Sequence, residues 1–247
     1  MKNVVSTWVS LLYVPGADSQ KLAEACHTEV DAIIVDLEDF VPAERKSHAR
    51  AHVDADIAAV RRAQRHVVVR VNRRLDLLVR DLEATVIAGV DAIMLTKVNS
   101  AAYVQFIDEF VGFLERERGL PIGGIGLIPM IETADAIAHI EAVAGACARV
   151  VAINVGAEDL AAELAIPSDS DLLVRVKERM IVAAFANGVV PLGHLGSVKA
   201  FGDIEHFTEM LQRSRSLGFR GATCLNARQA SAINAVYRPS TDCGAAA

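Results

Sequence analysis

Aromatic side chains are scarce, at 5% of 247 residues. A base-stacking platform for single-stranded nucleic acid needs more of them. Basic charge is also in deficit: 25 Lys and Arg stand against 31 Asp and Glu, a formal net charge of −6. Phosphate neutralisation requires a basic face, so nucleic acid is excluded as a principal partner. No apolar run reaches the ~18 residues that suggest a membrane-spanning helix. Met1-Lys2-Asn3 leads into only a short apolar stretch, without a signal-peptide pattern. The four cysteines, Cys26, Cys147, Cys224 and Cys243, lack C-x-x-C spacing. Free thiols in a reducing cytoplasm are the expectation.

What is present is apolar: 52% of the chain, enough for a sizeable core without disulfides or metal staples. The apolar residues fall in eight short runs: Ser10–Val14, Ala32–Asp36, Val67–Val71, Ala92–Thr96, Gly126–Met130, Val150–Val155, Val189–Gly193 and Gly221–Leu225. Amphipathic stretches separate them, near Ser19–Val30, Ala43–Arg62, Leu77–Ala88, Ala101–Arg118, Ala134–Ala146, Asp171–Asn187, Ile204–Leu217 and Ala227–Val236. Near-continuous apolar strands between helices indicate a parallel sheet covered on its faces. Gly89, Gly119, Gly188 and Gly218 each follow a helical pattern, where a left-handed residue closes the helix. Asp169 or Ser170 would cap the helix that follows. Eight β/α units predict one α/β domain, a closed TIM (β/α)8 barrel over residues 1–240. An open doubly wound sheet is the alternative. Residues 241–247 are expected to be a disordered tail.

A barrel places its active site at the C-terminal ends of its strands. The polar residues that follow the apolar runs are therefore the candidates. They include Gly16, Asp36-Leu37-Glu38-Asp39, Arg70 with Asn72, Lys97, Glu132, Glu158-Asp159, His194 and Asn226. Glu132 and Asp159 follow adjacent strands, which lie about 4.8 Å apart. Two carboxylates so placed suit Mg²⁺, with waters and substrate oxygens completing its shell. Mn²⁺ accepts the same hard oxygen set. Both carboxylates also open helices, where they favour the positive dipole end, and pattern alone leaves the two readings level. Glu38 and Asp39 either orient waters and a cationic residue or belong to a solvated loop.

Arg70 lies inside an apolar strand and cannot lose its charge. It either pairs with Asp36 or Glu38, or holds a substrate carboxylate or enolate oxygen. Lys97 suits a structural salt bridge as well as it suits substrate binding. Other signals are weaker. Gly124-Ile-Gly126 lacks the third glycine of a dinucleotide loop. His48 and His52 sit on a charged helix and read as a solvated face, as do Arg61, Arg62 and Arg65. His194 suits a base or an ordinary barrel-end histidine.

Several motifs together resemble one family. Leu12-Tyr-Val-Pro-Gly16, Asp36-Leu-Glu-Asp39 with Lys46 and Arg50, and Val69-Arg-Val-Asn72 look like the citrate lyase β-subunit-like group of the HpcH/HpaI aldolase superfamily. Thr96-Lys97, Ile131-Glu-Thr133, Gly156-Ala-Glu-Asp-Leu160, Leu217-Gly-Phe-x-Gly221 and Tyr237-Arg-Pro-Ser240 extend the match. The resemblance implies a Mg²⁺-dependent carbon–carbon lyase on a TIM barrel, a cytoplasmic homotrimer or hexamer. It implies that Glu132 and Asp159 bind the metal, that Arg70 binds substrate, and that Glu38 and Asp39 act beside it. Gly16 and Lys97 would contact substrate. The implied substrate is a small 2-oxo acid or a citryl- or malyl-like thioester of CoA or an acyl carrier.

The chain also departs from this group. Val9 stands where many relatives carry Arg, Thr96-Lys97 where they carry Pro-Lys, and Leu225-Asn226-Ala227 where they carry Ile-His-Pro. Relatives usually continue past the Pro-Ser segment into another helix. These departures carry the expectation that small 2-oxo acids bind while thioesters turn over slowly. Two further readings stand beside the lyase. One is a class II aldolase of free 4-hydroxy-2-oxo acids, the other a catalytically weak ligand-binding subunit of the same fold.

Overall fold

The computed structural model describes residues 5–196 and 203–238. Eight parallel strands form one sheet: β1 (Ser10–Pro15), β2 (Ala32–Asp36), β3 (His66–Val71), β4 (Ala92–Val98), β5 (Gly126–Ile131), β6 (Ala152–Val155), β7 (Val190–Leu192) and β8 (Ala222–Cys224). Each pairs with its neighbour in sequence, and β8 pairs with β1. A bridge between Leu192 and Gly221 joins β7 to β8 and closes the ring. The fold is therefore the barrel; closure excludes the open sheet.

Period-two alternation builds its two cores. On β2, Ile33 and Val35 point outward into the layer beneath the helices. Ala32 and Ile34 point inward, where Leu11, Tyr13, Val68, Met94, Ile128, Met130 and Leu192 fill the barrel. The side chains that continue the inward rows past this plug are polar, and they form the upper rim.

Among the described residues, ten α-helices cover the outside: α1 (Ser19–Cys26), α2 (Lys46–Arg62), α3 (Leu75–Thr85), α4 (Ala101–Glu117), α5 (Ala134–Ala138), α6 (Ile140–Ala144), α7 (Ala157–Leu164), α8 (Asp171–Ala186), α9 (Ile204–Leu217) and α10 (Ala227–Tyr237). Ser170 caps α8 by accepting a hydrogen bond from the Leu172 amide. Three expectations need correction. The stretch Ala134–Ala146 is two short helices, because His139 leaves helical geometry at φ −123°, ψ 24°. The third helix ends at Thr85, so Gly89, at φ +100°, closes a later turn and not the helix itself. Helix α7 follows directly from Gly156; the amphipathic stretches above do not include it, although Asp159 reads as opening a helix. Among the described residues, no helix is long and apolar enough to cross a membrane. Residues 239–247, including the expected disordered tail and Cys243, lie outside the described residues.

Candidate active site

The end of β2 carries a buried anion. Arg70 on β3 donates from Nε and Nη2 to Asp36 Oδ1 and Oδ2, at 2.7 and 2.6 Å. The backbone amides of Glu38 and Phe40 donate to the same carboxylate at 2.8 and 2.9 Å. Asp36 is thus fully paired, as a buried carboxylate must be. The third guanidinium nitrogen, Nη1, turns to Glu38 at 3.2 Å and Asp39 at 3.8 Å. Tyr13 and Phe40 present their rings to the guanidinium carbon at 4.9 and 5.1 Å. Lys46 braces this turn from outside, donating to the Leu37 and Glu38 carbonyls. Burial lifts the Glu38 carboxyl above its ordinary value, against the pull of Arg70 and Lys97.

A second group forms across β4, β5 and β6. Lys97 adopts φ +48°, where β4 and β5 shift register, and its amide donates to Glu132 Oε2 at 2.7 Å. Its ammonium pairs with Asp159 Oδ2 at 2.9 Å and Glu38 Oε1 at 3.1 Å. Burial works against that charge, but the bonds to Asp159 and Glu38 outweigh it and raise the Lys97 pKa. Glu132 differs from the other carboxylates. It is 5% exposed and, among the described residues, has no cation paired with it. Burial pushes its pKa up to about 7, opposed by the Lys97 amide and reinforced by the charge of Asp159. A Cβ at Gly156 would sit 2.2 Å from Glu132 Oε1, so glycine there leaves room for the Glu132 side chain in its present position.

These groups open onto one cavity of about 470 Å³ at the strand ends, lined by Arg70, Asp39, Glu132 and Asp159 among others. Glu38 and Lys97 stand behind the wall as its ion-paired support. Gly16 does not line the cavity. It packs against Asp36 and Ala49, and its amide donates to the Asp36 carbonyl. Asn72 bonds the Leu37 carbonyl and Asp81, so it ties the turn and not a ligand. His48 and His52 remain an exposed pair on α2. Arg61 is held by the Gly89 carbonyl and Asp91, and Arg65 by the Thr28 carbonyl.

The pattern reading missed Tyr13, Phe40, Asn154, Lys177 and Thr223, all of which line the cavity. A signal existed for two of them: Asn154 and Thr223 are polar residues within apolar strand runs.

Among the described residues, no three His, Cys, Asp or Glu side chains gather as a metal cage. Glu132 and Asp159 instead offer two carboxylates on an open cavity. That suits Mg²⁺, which keeps several waters and is bound through one or two carboxylates. The elevated pKa of Glu132 marks a buried anion that a cation would stabilise.

The family model of the HpcH/HpaI aldolase/citrate lyase family matches residues 9–227. The chain belongs to this family. It is 30% identical over 234 residues to citrate lyase subunit beta of Leuconostoc mesenteroides subsp. cremoris, across 93% of this chain and 76% of that protein. It is 33% identical to a (3S)-malyl-CoA thioesterase of Cereibacter sphaeroides, across 94% and 77% of the two chains. Among solved structures, a citrate lyase beta subunit from M. tuberculosis, complexed with oxaloacetate and magnesium, superposes with a TM-score of 0.72 at 27% identity. That match covers 96% of this chain and all (100%) of the other.

Proposed function

We propose that the protein is a Mg²⁺-dependent carbon–carbon lyase that cleaves or forms a citryl- or malyl-like 3-hydroxyacyl thioester. The observation that carries this is Glu132, a buried carboxylate without a cationic partner among the described residues, set beside Asp159 on the cavity. Relatives named as citrate lyase and malyl-CoA enzymes, and a related structure with magnesium and oxaloacetate, support the same chemistry.

In this reading Glu132 and Asp159 hold the cation. When bound, it supplies Lewis-acid polarisation of a substrate carbonyl. Arg70 supplies fixed positive charge where negative charge develops on an enolate oxygen as the carbon–carbon bond breaks. Its plane is set beforehand by Asp36, Tyr13 and Phe40, so little reorganisation accompanies the reaction. Lys97 holds Glu38 and Asp159 apart from each other's repulsion and acts as a brace. Glu38 and Asp39 tune Arg70 through its Nη1. The substrate class includes small 2-oxo acids and acyl thioesters of CoA or a carrier. A homotrimer or hexamer in a reducing cytoplasm completes the proposal, in keeping with the free thiols of Cys26, Cys147 and Cys224.

Calorimetric titration of Mg²⁺, together with a thioester cleavage assay, tests this. Glu132→Gln and Asp159→Asn are expected to weaken Mg²⁺ binding at least about tenfold, the loss of one charge-assisted contact, and to abolish turnover. Unchanged Mg²⁺ affinity in both variants would sink the assignment.

A further inference from the structure

The charged cluster occupies the arc of the rim from β2 to the turn after β6. A second arc faces the same cavity and carries different chemistry. Asn154 lies on β6, His194 just past β7 and Thr223 on β8, and all three line the cavity. They are buried, at 5%, 6% and 6% exposure. Alternation explains why they point inward: Ile153 and Val155 beside Asn154, and Ala222 and Cys224 beside Thr223, pack outward under the helices. Gly193, at φ +133°, leaves room for this arrangement, since a Cβ there would lie 3.1 Å from Asn154 Oδ1.

Among the described residues, neither the Asn154 amide nor the Thr223 hydroxyl has a hydrogen-bond partner in the protein. His194 Nδ1 is buried and also lacks one. Of the three, His194 Nδ1 is the buried atom left unpaired among the described residues, which costs about 1–3 kcal/mol; Asn154 and Thr223 line the cavity at inward positions of the kind that Met130 and Leu192 fill with apolar groups nearby.

A cation completes the arc. Lys177, on α8, reaches the cavity and donates to the Leu195 and Gly196 carbonyls at 2.8 and 3.2 Å. Among the described residues it forms no ion pair. Burial lowers its pKa to about 8, and the charge of Glu158, which also lines the cavity, works the other way. Burial and the charge of Lys177 keep His194 neutral. The arc thus offers an amide N–H, a hydroxyl, an imidazole and a positive charge without an ion-pair partner among the described residues.

We propose that Asn154, Thr223, His194 and Lys177 form a subsite for a second carboxylate of the substrate, one carried beyond the reacting carbon. An ammonium would meet Lys177 in repulsion, and an apolar group would leave the donors unpaired. A carboxylate satisfies the donors and the cation together. The subsite rests on the lyase reading of the first arc and narrows it to acids that carry two carboxylates.

Pyruvate and oxaloacetate share the 2-oxo acid head and differ by one carboxylate. Calorimetry in Mg²⁺ with fresh solutions of each separates the two arcs. The unmodified protein is expected to bind oxaloacetate about tenfold more tightly or better, as one charge-assisted pairing allows. Thr223→Val and Asn154→Leu keep shape and remove the hydrogen bond. Each is expected to weaken oxaloacetate about tenfold and leave pyruvate unchanged. Lys177→Met should act likewise, with its melting temperature followed because it also releases the Leu195–Gly196 turn. Equal affinity for the two acids, or equal losses for both in Thr223→Val and Asn154→Leu, overturns the subsite and leaves the metal arc standing. If neither acid binds and Glu132→Gln leaves Mg²⁺ affinity unchanged, the lyase reading fails and the subsite with it.

Discussion

Arg70 commits two of its three guanidinium nitrogens to Asp36 and leaves one toward Glu38, Asp39 and the cavity. The alternatives that its sequence position posed, buried ion pair or substrate contact, thus involve different atoms of one group. Lysine keeps the charge but not the planar fork. Arg70→Lys is therefore expected to lose about 1–3 kcal/mol of stability in urea denaturation, because Asp36 keeps fewer partners. It should also bind pyruvate more weakly; full retention of pyruvate affinity would make Arg70 structural only. Gly156 gives a sharper residue-scale test. Its Cβ would meet Glu132 Oε1, Cγ and Cδ at 2.2, 2.4 and 2.7 Å, all in one side chain and none in the backbone. Gly156→Ala should therefore lower the melting temperature while still folding, with the Glu132 side chain turned aside. Calorimetry is expected to show Mg²⁺ affinity falling at least about tenfold, one contact's worth. Normal Mg²⁺ binding in this variant would mean that Glu132 does not hold the cation from its present position.

At the scale of elements, the barrel's outer helices are fastened below the site by buried ion pairs. Arg149, before β6, donates to Asp108 and Glu115 on α4 and to the Ile125 carbonyl before β5. Glu115 is fully buried. Arg149→Met should cost about 3–5 kcal/mol, the penalty for stranding a buried charge, with Mg²⁺ affinity unchanged in calorimetry. A loss below about 1 kcal/mol would fit a solvent-screened pair instead. The strands were legible in the sequence because a parallel sheet buried on both faces makes each one a near-continuous apolar run. Helix α7 was legible only at its start, through Asp159, since the eight residues from Ala157 give too little periodicity to mark an amphipathic stretch. Strand ends fix where polar residues go, so Arg70, Glu132 and Asp159 could be placed in advance. Tyr13 could not, because an aromatic inside an apolar run reads as core. Lys177 was hidden on a helix, and the positive φ of Lys97 has no signature in a lysine.

The whole molecule leaves large apolar side chains exposed on two helices of one flank. Phe106 and Phe113 on α4, and Val182 and Phe185 on α8, are 57%, 48%, 70% and 50% exposed. Helix α6 lies between these helices and packs on both. Large exposed apolar groups gathered on one face mark association surfaces. Light scattering should therefore give a mass above one subunit, and Phe106→Glu with Phe185→Glu should reduce it; a monomer at micromolar concentration would overturn the proposed assembly. Stability of the whole should also depend on pH through His194. Burial, and secondarily the charge of Lys177, lower its pKa from 6.5 to about 3. The unfolded chain takes up a proton near pH 6.5 that the native state refuses until far lower pH. The contribution is complete above pH 6.5 and declines as pH falls toward 3, by up to about 1.4 kcal/mol per pH unit. Between pH 7.5 and 5 Glu132, raised to about 7, contributes a slope of opposite sign, so the His194 part is read in urea denaturation as the difference from a variant. His194→Gln cannot titrate, so its slope of stability against pH should be less positive by about that amount over the same interval. Parallel slopes for the two proteins would mean that His194 is already charged in the folded state.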